Sequence, residues 1–186
     1  GRASAVKLDV TKKAEFESVI ETIYEDEGRI DYLFNNAGIA IGGEALHMTW
    51  AQWQAIMSVN ITGVVHGVYA IYPRMVEQGF GHIINTASIA GLNPAPAATA
   101  YAMTKHAVVG LSNSLKAEAA GYGVRVSAVC PGLIDTPLLH TSELIGVKRE
   151  EVVQHQAFRP VSVEYCAQAI IKGIKRNKTI IIVTWH

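Results

Sequence analysis

The sequence predicts an α/β fold in which helices cover both faces of a parallel sheet. Apolar runs typical of strands alternate along the chain with longer amphipathic segments typical of helices. The strand-like runs are apolar throughout rather than alternately apolar and polar, which indicates strands buried on both faces. No internal repeat, low-complexity tract or linker interrupts this order, so residues 1–186 are expected to form a single domain.

The first elements are predicted to be a strand, a helix and a second strand. Residues 5–9 (AVKLD) form a short strand-like run, and Thr11 is expected to cap an amphipathic helix that ends at Gly28. Residues 30–35 (IDYLFN) predict the second strand because they are largely apolar and lead into turn-forming residues. A glycine-rich loop then extends to Gly43.

The middle of the chain is predicted to hold two long helices with a third strand between them. Thr49 can cap the first helix, which is expected to stop near Pro73 because proline disrupts a helix interior. Residues 81–87 (GHIINTA) predict the strand, and a loop rich in small residues and proline follows it. The second helix is predicted over residues 101–120 and stops at the glycines within residues 121–123.

The last part of the chain is expected to complete the sheet. Residues 124–129 (VRVSAV) predict a fourth strand, and the weak periodicity of residues 133–159 indicates short surface helices. The charged part of that segment either closes over a substrate as a lid or forms a solvated surface. Ser162 can cap a last helix that ends near Arg176, and residues 179–184 (TIIIVT) predict a fifth strand.

Composition argues against several classes of function. The 186 residues are 49% hydrophobic and 17% charged, which predicts one soluble globular domain. Sixteen basic and sixteen acidic side chains cancel, so no overall field would attract nucleic acid or an anionic membrane. No continuous apolar run approaches the ~18 residues of a membrane helix, and the first residues lack a signal peptide.

The cysteines and histidines give no support to a disulfide framework or a metal site. Cys130 and Cys166 both lie in apolar surroundings, which predicts two reduced core residues and favours the cytosol. The histidines show neither HxxxH nor HxxEH spacing, and no CxxC accompanies them. We therefore expect a cytoplasmic protein that binds no metal.

A tyrosine and a lysine stand one helical turn apart at the start of the third predicted helix. Tyr101 and Lys105 are at i and i+4, so their side chains share one helix face. Making a phenol useful near neutral pH requires about three pKa units, or roughly 4 kcal/mol. An ammonium about 4 Å away supplies roughly that much at an effective dielectric near 20. The alternative is that Tyr101 is simply an aromatic residue at the start of a helix and that Lys105 is a solvated surface charge.

Two further polar residues lie where they can join this pair. Ser88 follows the strand GHIINTA and can donate a hydrogen bond to a substrate oxygen, or it can simply cap a turn. Asn60 lies inside an apolar helix, where an amide is unfavourable unless it is hydrogen-bonded. It is either a satisfied core amide or the holder of a water molecule next to Lys105.

Five motifs in this order and spacing resemble the short-chain dehydrogenase/reductase family of NAD(P)-dependent oxidoreductases. They are Asn35-Asn36-Ala37-Gly38, Asn60, Ser88, Tyr101-x-x-x-Lys105 and Pro131-Gly132-x-Ile134-x-Thr136. The resemblance extends from Asp9 to about Thr136, and the closing helix and strand are compatible with it. It implies a Rossmann-like, doubly wound, three-layer fold.

The resemblance also implies roles for individual residues. Tyr101 would exchange a proton with the substrate oxygen of a secondary alcohol or ketone, Lys105 would lower the tyrosine pKa and bind the nicotinamide ribose, Ser88 would hold the substrate oxygen, and Asn60 would extend the proton relay. The remaining matched positions would contact NAD or NADP. Those implied near the adenosine are Asp9, Val10, Asn36, Ala37 and Gly38, and those implied near the nicotinamide are Pro131, Gly132, Ile134 and Thr136.

The glycine-rich turn of the family is missing from the sequence. Gly38-x-x-x-Gly42 and Gly63-x-x-x-Gly67 lack the full GxxxGxG pattern between a strand and a helix. Because residues 5–9 resemble the family's third strand, we expect the chain to lack the two strands and two helices that normally come first. The sheet would then have an unpaired hydrophobic edge beside residues 5–9. The choice between NAD and NADP is not encoded in these residues.

The substrate and the assembly are predicted only in general terms. Several residues could line an apolar pocket for an alcohol or ketone, or could be loop packing. They are Ile89, Leu92, Asn93, Pro94, Leu133, Leu138 and Leu139. The family resemblance implies a homodimer or homotetramer joined through the long helices that carry Asn60 and Tyr101. A binding or regulatory module without redox chemistry is the alternative function.

Overall fold

The computed structural model describes residues 2–146, 148 and 159–184. The strands are β1 (Tyr32–Asn35), β2 (Ile41–Gly42), β3 (Gly81–Thr86), β4 (Val124–Cys130), β5 (Glu143–Leu144) and β6 (Ile180–Ile182). The helices are α1 (Lys13–Glu27), α2 (Trp50–Met57), α3 (Gly63–Gln78), α4 (Thr99–Ala119), α5 (Pro137–Thr141) and α6 (Val163–Lys175). A π-helical turn, Ser58–Thr62, joins α2 to α3.

The main sheet contains four parallel strands in the order β1-β3-β4-β6 within the described residues. One face is covered by α3 and α4, where Ile71 and Leu115 pack with Ile83 and Val126, and α1 packs against α3. The other face is covered by α6 through a cluster that includes Ile174. The predicted α/β class, with helices on both faces of a parallel sheet, is therefore confirmed.

The prediction of a strand over residues 5–9 is wrong. This segment has no strand hydrogen bonding, and the edge strand of the main sheet is instead β1. Residues 5–9 were expected to be the third strand of the family's sheet, so β1, the next strand along the chain, corresponds to the fourth. In the strand order 3-2-1-4-5-6 of doubly wound folds the third strand pairs with the second and not with the fourth, so residues 5–9 cannot pair with β1. The exposed apolar edge lies at β1, where Tyr32 is 57% and Phe34 is 51% exposed.

Two predicted helix boundaries also differ from the structure. Lys12, not Thr11, precedes α1, because the amide and the hydroxyl of Thr11 both donate to the Asp9 carboxylate. The helix expected to stop near Pro73 continues to Gln78. Ile71 and Met75 are fully buried on either side of this proline, and their packing holds the helix together across the missing N–H donor.

Other boundaries are as predicted. Thr49 forms a capping box with Gln52 at the start of α2, and Ser162 accepts a hydrogen bond from the Tyr165 amide at the start of α6. Gly28 ends α1 in the left-handed conformation with φ 72°. The segment expected to be a lid or charged surface, residues 141–159, lies largely outside the described residues.

Among the residues that the structure describes, one helix has the length and composition of a membrane span. α2, the π turn and α3 form a continuous helix over Trp50–Gln78, which is 29 residues long and largely apolar. One third of its most apolar 18-residue stretch is buried inside the protein. Polar residues such as Asn60 and His66 interrupt its sequence, so it contains no continuous apolar run of that length, and the sequence-based expectation did not anticipate it.

A buried histidine on β3 is expected to make the stability of the protein depend on pH. The side chain of His82 is 3% exposed, and its Nε2 lies 2.9 Å from Ser127 Oγ. Ser127 donates its own hydroxyl proton to the Lys178 carbonyl at 2.6 Å, so it accepts from a neutral His82. Burial lowers the pKa of His82 to about 4, and the charges of Arg125 and Lys116 add to this effect.

We expect the free energy of unfolding to fall by about 3 kcal/mol as pH drops from 6.5 to 4 because of His82. Above pH 6.5 His82 is neutral in both the folded and the unfolded protein. Between pH 6.5 and 4 only the unfolded chain takes up the proton, which favours unfolding. Urea unfolding of wild type and of His82→Gln, which keeps a donor but does not titrate, measures the difference. Parallel pH profiles for the two proteins would rule out this role.

Candidate active site

A cleft of about 840 Å³ lies at the carboxyl ends of the parallel strands. Most of the site residues predicted from the sequence line it. They are Asn36, Gly38, Ser88, Tyr101, Lys105, Pro131, Gly132, Ile134 and Thr136. Asn60, Asp9, Val10 and Ala37 do not line it. The strand order explains the convergence, because β1, β3 and β4 are neighbours and their carboxyl ends meet at one edge of the sheet.

Ser88 is held at the end of β3 by the pairing of β3 with β4. The amide of Ala87 donates to Val129 and that of Ile89 donates to Pro131, so the serine between them faces the loop after β4. Its hydroxyl accepts from the Ala90 amide at 3.2 Å and is 3.5 Å from the Pro131 carbonyl. Ser88 therefore caps a turn and also lines the cleft, so the two interpretations of this residue are compatible.

Tyr101 lies in the first turn of α4 and packs against Ile41, Ile56 and Ala100. Burial raises its pKa, while a hydrogen bond with Ser88 acts in the opposite direction. This is opposite to the lowering expected from the Lys105 spacing. The reason is that the ammonium contacts the aromatic ring, 5.5 Å from its centroid, and donates its hydrogen bond elsewhere.

Lys105 is an unusually buried lysine at the base of the cleft. Its side chain is 4% exposed, and Nζ donates to the Thr86 carbonyl at 2.9 Å. Burial lowers its pKa to about 8, and the interaction with Cys130 opposes that shift. Among the described residues, the Thr86 carbonyl is the hydrogen-bond acceptor of this ammonium, which carries three donors. Lys105 also lines the cleft, so its ammonium can reach a ligand bound there.

Asn60 is a satisfied core amide. It lies in the π turn and is fully buried, its oxygen accepts from the Ile39 amide at 2.9 Å, and its nitrogen donates to the Ile39 carbonyl and to Thr104 Oγ1. These bonds fasten the loop after β1 to α4. A Cβ on Gly38 would stand 3.3 Å from Asn60 Oδ1 and 3.5 Å from Lys105 Nζ, so the glycine keeps the space between them open.

Asp9 and Val10, the two residues expected beside an adenine, do not line the cleft. The Asp9 carboxylate accepts from Thr11. The side chain of Val10 packs over Gly63, where a Cβ would come within 2.9 Å of it, and its carbonyl lies 2.9 Å from His66 Nδ1. Ala37 is exposed and makes no part of the cleft wall.

The sequence analysis missed several residues of the site. Thr104 is fully buried, donates to the Tyr101 carbonyl and accepts from Asn60, so it links two predicted site residues. Four residues of α6 also line the cleft, and their i, i+3, i+4, i+7 spacing is the signal that could have placed them on one face. They are Val163, Cys166, Ala167 and Ile170. Of the proposed pocket residues, Leu92, Asn93 and Pro94 do not line the cleft.

Both cysteines are buried free thiols, as predicted. Within residues 2–146, 148 and 159–184, no group of three or more His, Cys, Asp or Glu side chains could hold a metal ion.

A two-stranded sheet lies next to the cleft, since Ala40 and Ser142, which line the cleft, directly precede its two strands. β2 pairs in parallel with β5, and the amide of Ile145 donates to Gly42 at 2.8 Å. Gly43 forms a bridge with Ala98 and donates to the Ala97 carbonyl at 2.6 Å. A Cβ on Gly43 would come within 2.6 Å of the Ile145 carbonyl, and its φ of 136° is also one that favours glycine. The loops that follow β1, β3 and β4 are thus hydrogen-bonded to one another.

Comparison with known proteins identifies the family. A family model described as short chain dehydrogenase matches residues 1–144, which is more than half of the chain. The chain belongs to the short-chain dehydrogenase family. The resemblance that the sequence motifs suggested is therefore confirmed.

Curated relatives in this family include a 3-oxoacyl-[acyl-carrier-protein] reductase of Thermotoga maritima, which is 36% identical over 138 residues, 74% of this chain and 56% of the relative. A 2-(R)-hydroxypropyl-CoM dehydrogenase of Xanthobacter autotrophicus is 42% identical over 136 residues, 72% of this chain and 54% of the relative. The chain thus spans little more than half the length of these two relatives.

Solved structures of short-chain dehydrogenases share the fold over nearly the whole chain. One from Burkholderia phymatum in complex with NAD has a TM-score of 0.85 and 27% identity, covering 96% of this chain and 69% of that one. Another, from Sphingobium yanoikuyae in complex with NADPH, has a TM-score of 0.81 and 28% identity, covering 96% and 66%. These similarities confirm the Rossmann-like fold class.

Proposed function

We propose that this short-chain dehydrogenase is an NAD(P)-dependent oxidoreductase that moves a hydride between nicotinamide and a secondary alcohol or ketone. The observation that carries the proposal is the convergence of Ser88, Tyr101 and Lys105 on one cleft, where the Ser88 hydroxyl acts to lower the pKa of the Tyr101 phenol. A hydroxyl donor, a phenol and an ammonium at one point are what proton transfer to a reacting oxygen requires.

The residues of the cleft fit a nicotinamide dinucleotide. The Lys105 ammonium, which lines the cleft and donates to the Thr86 carbonyl, could also donate to the hydroxyls of a ribose. Pro131, Gly132, Ile134 and Thr136 would hold the nicotinamide, which supplies or accepts the hydride when bound. Asn36, Ala37 and Gly38 would contact the adenosine side, at the end of β1. Asp9 and Val10, which like Ala37 do not line the cleft, would contact the adenine.

The chain's own side chains would handle the proton. Ser88 would donate a hydrogen bond to the substrate oxygen, and Tyr101 would give a proton to that oxygen or take one from it. Lys105 would counter the burial that raises the pKa of the phenol, since its ammonium favours the phenolate. Asn60 would act by holding the Ile39 loop beside Gly38 and Lys105, and we propose that it extends the proton relay from there.

The proposal is tested by cofactor oxidation and cofactor binding. The purified protein is mixed with NADH or NADPH and a panel of ketones, and loss of nicotinamide absorbance is followed with time. We expect oxidation of one cofactor to depend on both the protein and a ketone. Calorimetric titration of each dinucleotide provides the second measurement. Tight binding without any oxidation, across the ketones and the reverse reaction with alcohols, would favour a binding module instead.

A further inference from the structure

The lining of the cleft changes character from one side of the sheet to the other. On the β1 side Asn36 and Thr86 bring polar groups to the lining beside Ile39 and Ala40, and Thr86 Oγ1 donates to Asn36 Oδ1 at 3.0 Å. On the side of β4 and β6 the lining is mostly hydrocarbon, from Leu133, Leu138, Val163 and Ile170, and its polar groups are the uncharged side chains of Thr136 and Cys166. Ser88 follows β3, between the two sides. A substrate held at Ser88 and extending away from the β1 side would therefore meet an apolar wall.

The apolar wall contains no charged side chain among the described residues. Lys105 is the one residue of the described lining that carries a charge at neutral pH, and its ammonium lies at the end of β3. Burial raises the pKa of Cys166, so its thiol stays neutral. The side chains of Asp135 and His140, which lie next to each other, are both 69% exposed, and neither lines the cleft.

A charged substituent would lose its hydration on this wall without gaining a partner. Burying an unpaired carboxylate, sulfonate or phosphate is strongly unfavourable, whereas burying a hydrocarbon chain is favourable. The geometry points to a substrate class: an uncharged ketone or secondary alcohol whose larger substituent is hydrocarbon and packs against Leu133, Leu138 and Ile170. This inference rests on the proposed hydride transfer at Ser88 and Tyr101.

The test compares two ketones of equal length that differ in one charge, 2-octanone and 7-oxooctanoate. With the cofactor that the protein uses, we expect kcat/KM for 2-octanone to exceed that for the keto acid by about 100-fold or more. Equal values, or a preference for the keto acid, would overturn the inference. Either of these results would leave the proposed function intact, because hydride transfer to a ketone would still have been measured.

A charge placed on the wall should reduce the preference. Leu138 lines the cleft and is 36% exposed, so Leu138→Arg can be accommodated, and we expect it to shift the ratio of the two kcat/KM values by about tenfold toward the keto acid. Leu46→Arg is the matched control, since Leu46 is 84% exposed and lies outside the cleft. An equal shift of this kcat/KM ratio in both variants would show that the apolar wall does not set the preference for 2-octanone over the keto acid.

Binding of the two ketones separates this inference from the proposed function. Saturation-transfer NMR on the full protein detects each ketone without requiring turnover. If neither ketone is reduced, the proposed function fails, and the NMR result then decides the present inference. Transfer to 2-octanone but not to 7-oxooctanoate supports an apolar wall. Equal transfer to both, or transfer to the keto acid alone, refutes it.

Discussion

Replacing Tyr101 with phenylalanine is expected to lower turnover by about 10² to 10⁴-fold, because it removes the group proposed to exchange a proton with the substrate oxygen. The ring would keep its packing against Ile41, Ile56 and Ala100. Only the hydroxyl and its hydrogen bond with Ser88 are lost, so we expect the free energy of unfolding to change by about 1 kcal/mol or less. Steady-state kinetics and urea unfolding of the two proteins measure both effects.

The control for Tyr101→Phe is Tyr122→Phe. Tyr122 is 56% exposed and lies outside the cleft, so its variant should keep wild-type turnover. Dinucleotide binding to Tyr101→Phe should also stay close to that of wild type. A Tyr101→Phe protein whose kcat remains within a few-fold of wild type would remove the phenol from the proposed mechanism.

Replacing Lys105 with methionine is expected to change activity and stability in opposite directions. The variant loses the ammonium proposed to bind the ribose and to favour the phenolate, so we expect kcat/KM to fall by about 10²-fold or more. In the folded protein the lysine is 4% exposed, and burial lowers its pKa to about 8. Because the unfolded value is near 10.5, keeping this charge buried costs about 3 kcal/mol at neutral pH.

The stability gain of Lys105→Met should itself depend on pH. Below pH 8 wild-type lysine is charged in both states and the folded state bears the full cost, so the variant should be more stable by about 2 kcal/mol after loss of the bond to Thr86. Between pH 8 and 10.5 the folded protein releases the proton first, so the free energy of unfolding of wild type rises by about 3 kcal/mol, and wild type should become the more stable protein by about 1 kcal/mol.

Lys116→Met provides the control for Lys105→Met, since Lys116 is on the same helix but outside the cleft. Its activity should match that of wild type. The stabilities of wild type and Lys105→Met are compared through their denaturant midpoints at pH 7 and pH 10. A variant that is less stable than wild type at both pH values would contradict the conclusion that the buried charge of Lys105 destabilises the folded protein.

The fold was largely predictable because its strands are buried and its helices carry clear end signals. β3 and β4 lie between other strands, so their apolar residues form continuous runs, and Thr49 and Ser162 mark helix starts through local hydrogen bonds. Residues 5–9 have the same local pattern as a strand, but a strand exists only where another strand pairs with it. The continuation of α3 through Pro73 depends likewise on packing that is remote in sequence.

The positions of the candidate site residues could be predicted from their spacing in the sequence. The pKa values of their side chains could not, because these depend on burial in the folded chain. Ser88, Tyr101 and Lys105 meet because β3 and α4 place them at one edge of the sheet. The helix spacing of Tyr101 and Lys105 could not give the direction of the tyrosine pKa, since burial and the bond from Lys105 to Thr86 arise only in the folded chain. Thr104 and the α6 wall were missed because their neighbours are distant in sequence.

The pairing of β2 with β5, and of Gly43 with Ala98, couples the lengths of three loops that lie far apart in the chain. Each pairing is only one or two residues long, so a single inserted or deleted residue in any of the loops would displace the other two. The three loops therefore behave as one module in protein engineering. Exchange of substrate preference between related enzymes should require all three to be transplanted together, along with the glycines at which they cross.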